Sequence, residues 1–253
     1  MTTRTKRAAF MQRLGFDRNI PTVAIINMSD VARNRQVEKM VNALQKQLDE
    51  DFTPAWGLQA KLVFNEEPLL SMKIFIKDKA SEEDKSYLGY HFRDGLPITY
   101  VFAKDDIDSK GEFSTTLSHE LLEMLADPGV NLYALGFYRD KADKRRQAFV
   151  SYEVCDPVEA SSYRIDGVPV SNFVLPEWYE PEHEDGSMQM DFLGRVHSPF
   201  KLAPGGYMDA YWNGKIKTIW GPEAARKRRR HRKDRRSGYN DGDLRLAGMR
   251  AKR

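Results

Sequence analysis

Between Ser114 and Pro128 the chain reads STTLSHELLEMLADP, and His119, Glu120 and Glu123 are the residues in it whose types and spacing suit metal chemistry. In a helix, residues i and i+4 stand one turn apart, so His119 and Glu123 can reach one cation together. Glu120 leans to the side of that pair, where it can act as general base on a water held by the cation. The pattern is H-E-x-x-E, the H-E-x-x-H metal motif with its second histidine replaced by glutamate. On the same helix Glu112, Thr116, His119, Glu120, Glu123 and Asp127 share one arc, opposite an apolar stripe of Leu117, Leu121, Met124 and Leu125. Such a polar arc is either solvated or holds a cation.

A catalytic metal needs three protein ligands and an open position. Glu153 lies 30 residues beyond Glu123, on a segment expected to return beside the helix, and is the expected third ligand. Asp156 is the alternative, or else the acceptor that fixes the tautomer of His119 through its far ring nitrogen. Asp127 ranks lower, because its Cα in a regular helix is ~12 Å from that of His119; a helix-end or supporting role suits it. His91 and Tyr163 are candidates to face substrate or transition state, against plainer readings as a loop histidine and a packing tyrosine. Cys155 reads as a small buried residue. His119, Glu123 and Glu153 together carry two negative charges, which cancel one divalent ion: Zn²⁺ first, with Mn²⁺ or Ca²⁺ as alternatives for an oxygen-rich set.

These residues need a body to position them, and 253 residues with 41% hydrophobic content can bury one good core. No apolar run approaches the ~20 residues of a membrane span. The start MTTRTKRAAF lacks the apolar centre of a secretory signal, and Cys155 is the single cysteine, so a reducing cytoplasm is expected. Export by a dedicated machine would leave no mark in such a sequence. The net charge of +3 is divided unevenly: residues 224–253 hold 13 Lys+Arg against 3 Asp+Glu, which leaves 27 against 34, or −7, for the remainder.

In chain order, residues 1–20 form a basic N-terminal arm, 21–222 the folded domain, and 223–253 a basic disordered tail. Strands are expected at Thr22–Asn27, Lys61–Phe64, Met72–Lys77 and Ile98–Phe102. A long helix capped by Ser29 or Asp30 runs to about Glu50, with Val37, Met40, Val41, Leu44 and Leu48 inward. Ser109 to Glu112 has capping-box spacing ahead of the motif helix, which Asp127-Pro128 ends. Phe149 to Asp156 reads as a strand delivering Glu153 and Asp156. Residues 157–222, rich in turns and aromatics, form a loop-rich C-terminal lobe. The class is α+β with a mixed sheet, the long N-terminal helix and the metal-motif helix. Within Arg226 to Arg236 nine of eleven positions are Lys or Arg. Arg228, Arg229, Arg230 and Arg232 are the expected contacts to nucleic acid or an anionic surface.

The segments ALQKQLDEDFTPAWG (43–57), LGYH (88–91), TTLSHELLEMLADP (115–128), YEVCDPVEA (152–160), VSNFVLPEWYEP (170–181) and PGGY (204–207) resemble a group of bacterial zincin-like metallopeptidases. The similarity spans roughly residues 20–220. It implies a zincin-like fold, a metal held at His119 and Glu123, Glu120 as the catalytic carboxylate, and a peptide or protein as substrate. Glu153 and Asp156 match the YEVCD element without distinguishing which binds metal. The expectation is therefore a metal-dependent hydrolase, with substrate aligned along Ile98–Phe102. Its rivals are a non-catalytic scaffold with a structural cation and a polyanion-binding protein acting through its tail.

Overall fold

A computed structural model describes residues 20–82, 84, 87–140 and 144–222. The basic arm up to residue 19 and the tail, with Arg228, Arg229, Arg230 and Arg232, lie outside the described residues.

The fold is α+β with a mixed sheet and few helices. The apolar run TVAIIN forms β1 (Thr22–Asn27), beside β2 (Lys61–Phe64) and β3 (Met72–Lys77). In β3 the period of two is plain: Met72, Ile74 and Ile76 are buried, and Lys73, Phe75 and Lys77 half-buried. β4 (Gly89–Asp94) and β5 (Leu96–Phe102) make a hairpin around Gly95, whose φ of +70° a side chain would strain. The sheet order is β2-β1-β3-β5-β4, parallel except for β4 on β5. β5 thus has a strand on each side, and an extended substrate cannot add to it. The expected alignment along Ile98–Phe102 is corrected: on this side of the sheet the edge strand is β4.

α1 (Asn34–Lys46) buries Val37, Met40, Val41 and Leu44. It continues through a π-helical turn (Gln47–Phe52) into α2 (Thr53–Trp56), which ends at Gly57 with φ +67°. The cap expected at Ser29 or Asp30 is not made, and Arg33 flanks the helix instead. Ser29 has another task, donating to Asp78 Oδ1 at 2.5 Å. α3 (Ala103–Asp108) carries the chain from β5 to the motif helix, α4 (Phe113–Ala126). Ser109 closes α3 and Glu112 flanks α4 with no side-chain cap, so the expected capping box is absent.

A second sheet, all antiparallel, runs β11-β10-β7-β6 and contains β6 (Tyr133–Arg139), β7 (Arg145–Ser151), β10 (Tyr207–Trp212) and β11 (Lys215–Trp220). β8 (Ser162–Ile165) and β9 (Val168–Ser171) form a separate hairpin. Because β10 pairs with β7, the turn-rich residues 157–222 share a sheet with the preceding chain. One buried cluster joins Val23 and Ile74 of the first sheet to Leu121 of α4 and to Phe173, Trp178 and Ala210. α4 packs against β4, β5 and β9. Among the described residues no helix is long and apolar enough to cross a membrane.

Candidate metal centre

Every residue of α4 except Thr115 is buried, polar ones included. The arc of His119, Glu120 and Glu123 therefore does not face water; these residues are 3%, 6% and 4% exposed. Glu112 departs from that arc, its side chain 53% exposed and paired with Arg164 at 3.2 Å. Burying a carboxylate costs several kcal/mol (order of magnitude) unless charge or hydrogen bonds compensate it. The helix is placed by what it touches at both ends of the site.

On one side stands the loop after β7. The strand ends at Ser151, so Glu153 sits in the loop rather than on the strand, and Asp156 opens a 3₁₀ turn (Asp156–Val158). Tyr179 Oη donates to the Glu153 carbonyl at 2.8 Å while its ring stacks on Tyr152 at 4.2 Å between centroids. The amides of Cys155 and Asp156 donate to Glu123 Oε1 at 3.1 and 3.3 Å. That fixes the carboxylate with Oε2 3.0 Å from His119 Nε2. Asp156 Oδ1 lies 3.2 Å from the same nitrogen. The expectation that Asp156 holds the far nitrogen is corrected: it converges with Glu123 on Nε2. Cys155, fully buried, also brings its sulfur within 4.8 Å of ligand atoms of His119 and Glu123.

On the other side stands β4. His91 is buried there, not a solvent-facing loop residue, and it forms a wall of the centre. Its Nδ1 is 3.5 Å from Glu120 Oε2, and its Nε2 is 3.9 Å from Glu153 Oε2. Gly89 makes room for this: a Cβ there would stand 3.0 Å from both Glu120 Cγ and Thr116 Cγ2.

Asp127 takes the helix-end role expected of it, and Tyr163 serves a different end. Asp127 accepts from the amides of Asn131 and Leu132 at 3.1 and 2.9 Å and so closes the helix end. Tyr163 donates to Asp51 at 2.7 Å and accepts from Gln47 Nε2 at 3.1 Å. Gln47, in the π-helical turn, receives Ser118 Oγ at 2.7 Å, and Ser118 in turn receives the Ser171 amide at 3.0 Å. The Tyr163 hydroxyl thus belongs to the network that pins α4 to the π-helical turn and β9, which corrects its expected role toward substrate.

The electrostatics follow from burial. For His91, desolvation acts to lower the pKa, but the field of Glu153, then Glu120 and Glu123, outweighs it and raises the value to about 10. Burial, reinforced by Glu123 and opposed by His119, pushes Asp156 well above the carboxylate range. Burial and Glu123 also push the Cys155 thiol up. A cation at the centre would replace the protons held there. The donor set of imidazole nitrogen, carboxylate oxygen and sulfur suits a borderline divalent metal. The sequence signal for Cys155 as a member is only its place between Glu153 and Asp156.

No family model, curated protein or solved structure matches this chain.

Proposed function

We propose that the chain binds a divalent cation through His119, Glu123 and Asp156, with Cys155 and Glu153 alongside, and that the centre is hydrolytic with a peptide bond as substrate class. The observation that carries this is the convergence of Glu123 Oε2 and Asp156 Oδ1 on His119 Nε2, at 3.0 and 3.2 Å, inside the core. Two ligands ~2.1 Å from one ion stand ~3.0–3.4 Å apart at octahedral to tetrahedral angles, so the separations suit a shared ion. Zn²⁺ fits the mixed donors, and Mn²⁺ or Ca²⁺ would be favoured by the carboxylates alone. Such an ion, when bound, polarises a carbonyl and acidifies water.

The chain's own residues supply the remainder. Glu120, one position beyond His119 and beside the small Gly89, is set to accept a proton at its carboxylate. His91 faces Glu120 Oε2 from β4 and orients it. β4, an edge strand among the described residues and next to α4, is the strand on which an extended chain would pair, as the zincin-like resemblance implies. Elemental analysis and a peptide-library assay with and without chelator test the reading. His119→Ala should lose the ion, and Glu120→Gln should keep the ion and lose cleavage. Unchanged metal content in the first variant ends the metal assignment, and equal cleavage by the second ends the role of Glu120.

One observation favours a second reading, a non-catalytic scaffold with a structural cation. The side chains of the six ionisable residues are only 3–8% exposed. A protein that holds the ion and cleaves nothing across several metals would establish that reading.

A further inference from the structure

The cluster is richer than one cation requires. Four carboxylates meet here, and an ion on His119 Nε2 would take two of them, Glu123 and Asp156, which leaves those of Glu120 and Glu153 beside His91. The ligand atoms also divide into two triads. Those of His119, Glu123 and Cys155 lie within 4.8 Å of one another, as do those of His91, Glu120 and Glu123. Glu123 belongs to both. A carboxylate shared in this way is the bridge found where two ions stand ~3.5–4 Å apart.

The β4 triad carries an independent sign. Among the described residues His91 Nε2 has no hydrogen-bond partner, although its side chain is 5% exposed, and it faces Glu153 Oε2 at 3.9 Å. That gap is too long for a hydrogen bond and just within twice a metal–ligand distance, ~4.2 Å. The other nitrogen, Nδ1, faces Glu120 across 3.5 Å. An imidazole binds one ion through one ring nitrogen, and each nitrogen of His91 has a carboxylate with which to share an ion apart from the one centred on His119 Nε2.

We propose a second divalent-cation site, formed by His91, Glu120 and Glu123 with Glu153 at its rim, that shares Glu123 with the His119 site. The proposal rests on the reading of the His119 site as the first. It adds a regulatory consequence: Glu120 cannot ligate an ion and accept a proton at once, so filling the β4 site withdraws the base. Low cation concentrations would support hydrolysis and higher ones suppress it.

Apo full-length protein titrated with Mn²⁺, the only added metal, tests this by equilibrium dialysis and electron paramagnetic resonance. Wild type should take up two ions per chain and His91→Ala one. Saturation of wild type at one ion overturns the second site and leaves the first standing; no uptake at all overturns both. Two ions in wild type and still two in His91→Ala overturns the assignment to β4. Should His91→Ala not fold, the wild-type spectrum decides. Ions bridged by Glu123 should give an exchange-coupled signal at two equivalents, whereas isolated six-line signals at full loading refute the shared carboxylate.

Discussion

The Cys155 amide donates to Glu123 Oε1 across 3.1 Å, so backbone from the loop after β7 sets the orientation of a side chain on α4. Oε2 is thereby left to His119. Glu123→Ala would strand the buried amides of Cys155 and Asp156 and should cost about 3 kcal/mol in urea unfolding. Glu123→Gln keeps an acceptor oxygen for those amides and should recover most of that stability. Its affinity for Mn²⁺ should still fall at least ~10-fold, one charge-assisted ligand being worth more than ~1.4 kcal/mol. Equal stability of the alanine variant and wild type would mean that the amides do not depend on Glu123.

Gly89→Ala tests whether Glu120 is held by close approach. The new Cβ would press on Glu120 Cγ and Thr116 Cγ2 at 3.0 Å, and the backbone φ is not in the left-handed region, so contact alone acts. A loss of ~1–2 kcal/mol is expected from overpacking. Cleavage should fall while the ion at His119 is retained. A variant with full activity would show that the position of Glu120 does not depend on that contact.

Asp78 supplies a pH dependence away from the centre. The Ser29 hydroxyl holds its carboxyl below the usual range; burial, the next largest effect, opposes it, and the amides of Val31 and Asp30 and the charge of Lys104 add to the lowering. A folded pKa below the unfolded ~3.9 contributes stability above that pH, and the contribution disappears as pH falls through the folded value. Asp78→Asn should therefore be less stable than wild type at neutral pH, and the difference should close below about pH 4. Thermal melts at both ends of that range measure it; a constant gap would sink the assignment.

The basic segment 226–236 has a prediction from composition alone. If its nine Lys/Arg contact a polyanion, full-length protein should bind DNA, RNA or anionic vesicles with an affinity that falls steeply between ~50 and ~200 mM salt. Deletion of 224–253 should abolish that binding. Equal binding by both chains would exclude the tail as the contact.

β1, β2 and β3 were legible because each is an apolar run or alternation bounded by turns, a property that local sequence carries. β4 was not: glycines bound it and Arg93-Asp94 ends it, so its strand character comes from pairing with β5. The spacing of His119, Glu120 and Glu123 was legible as a helical constellation, but the burial of their whole arc was not. Burial depends on β4, β9 and the loop after β7 closing over α4, which is tertiary information. For the same reason the side of the centre on which each of Glu153 and Asp156 stands could not be read. Three residues apart in sequence, they face different imidazoles, Glu153 from the loop and Asp156 from the start of a 3₁₀ turn.

The closure around α4 bears on time as well as affinity. The side chains around an ion seated at His119 are only 3–8% exposed, so its departure is expected to be assisted by opening of β4 or the loop after β7. Exchange would then run at the rate of that opening. A chelator in excess should strip the protein with a half-time that no longer shortens as more chelator is added, and substitutions that loosen the Tyr152–Tyr179 stack should speed it.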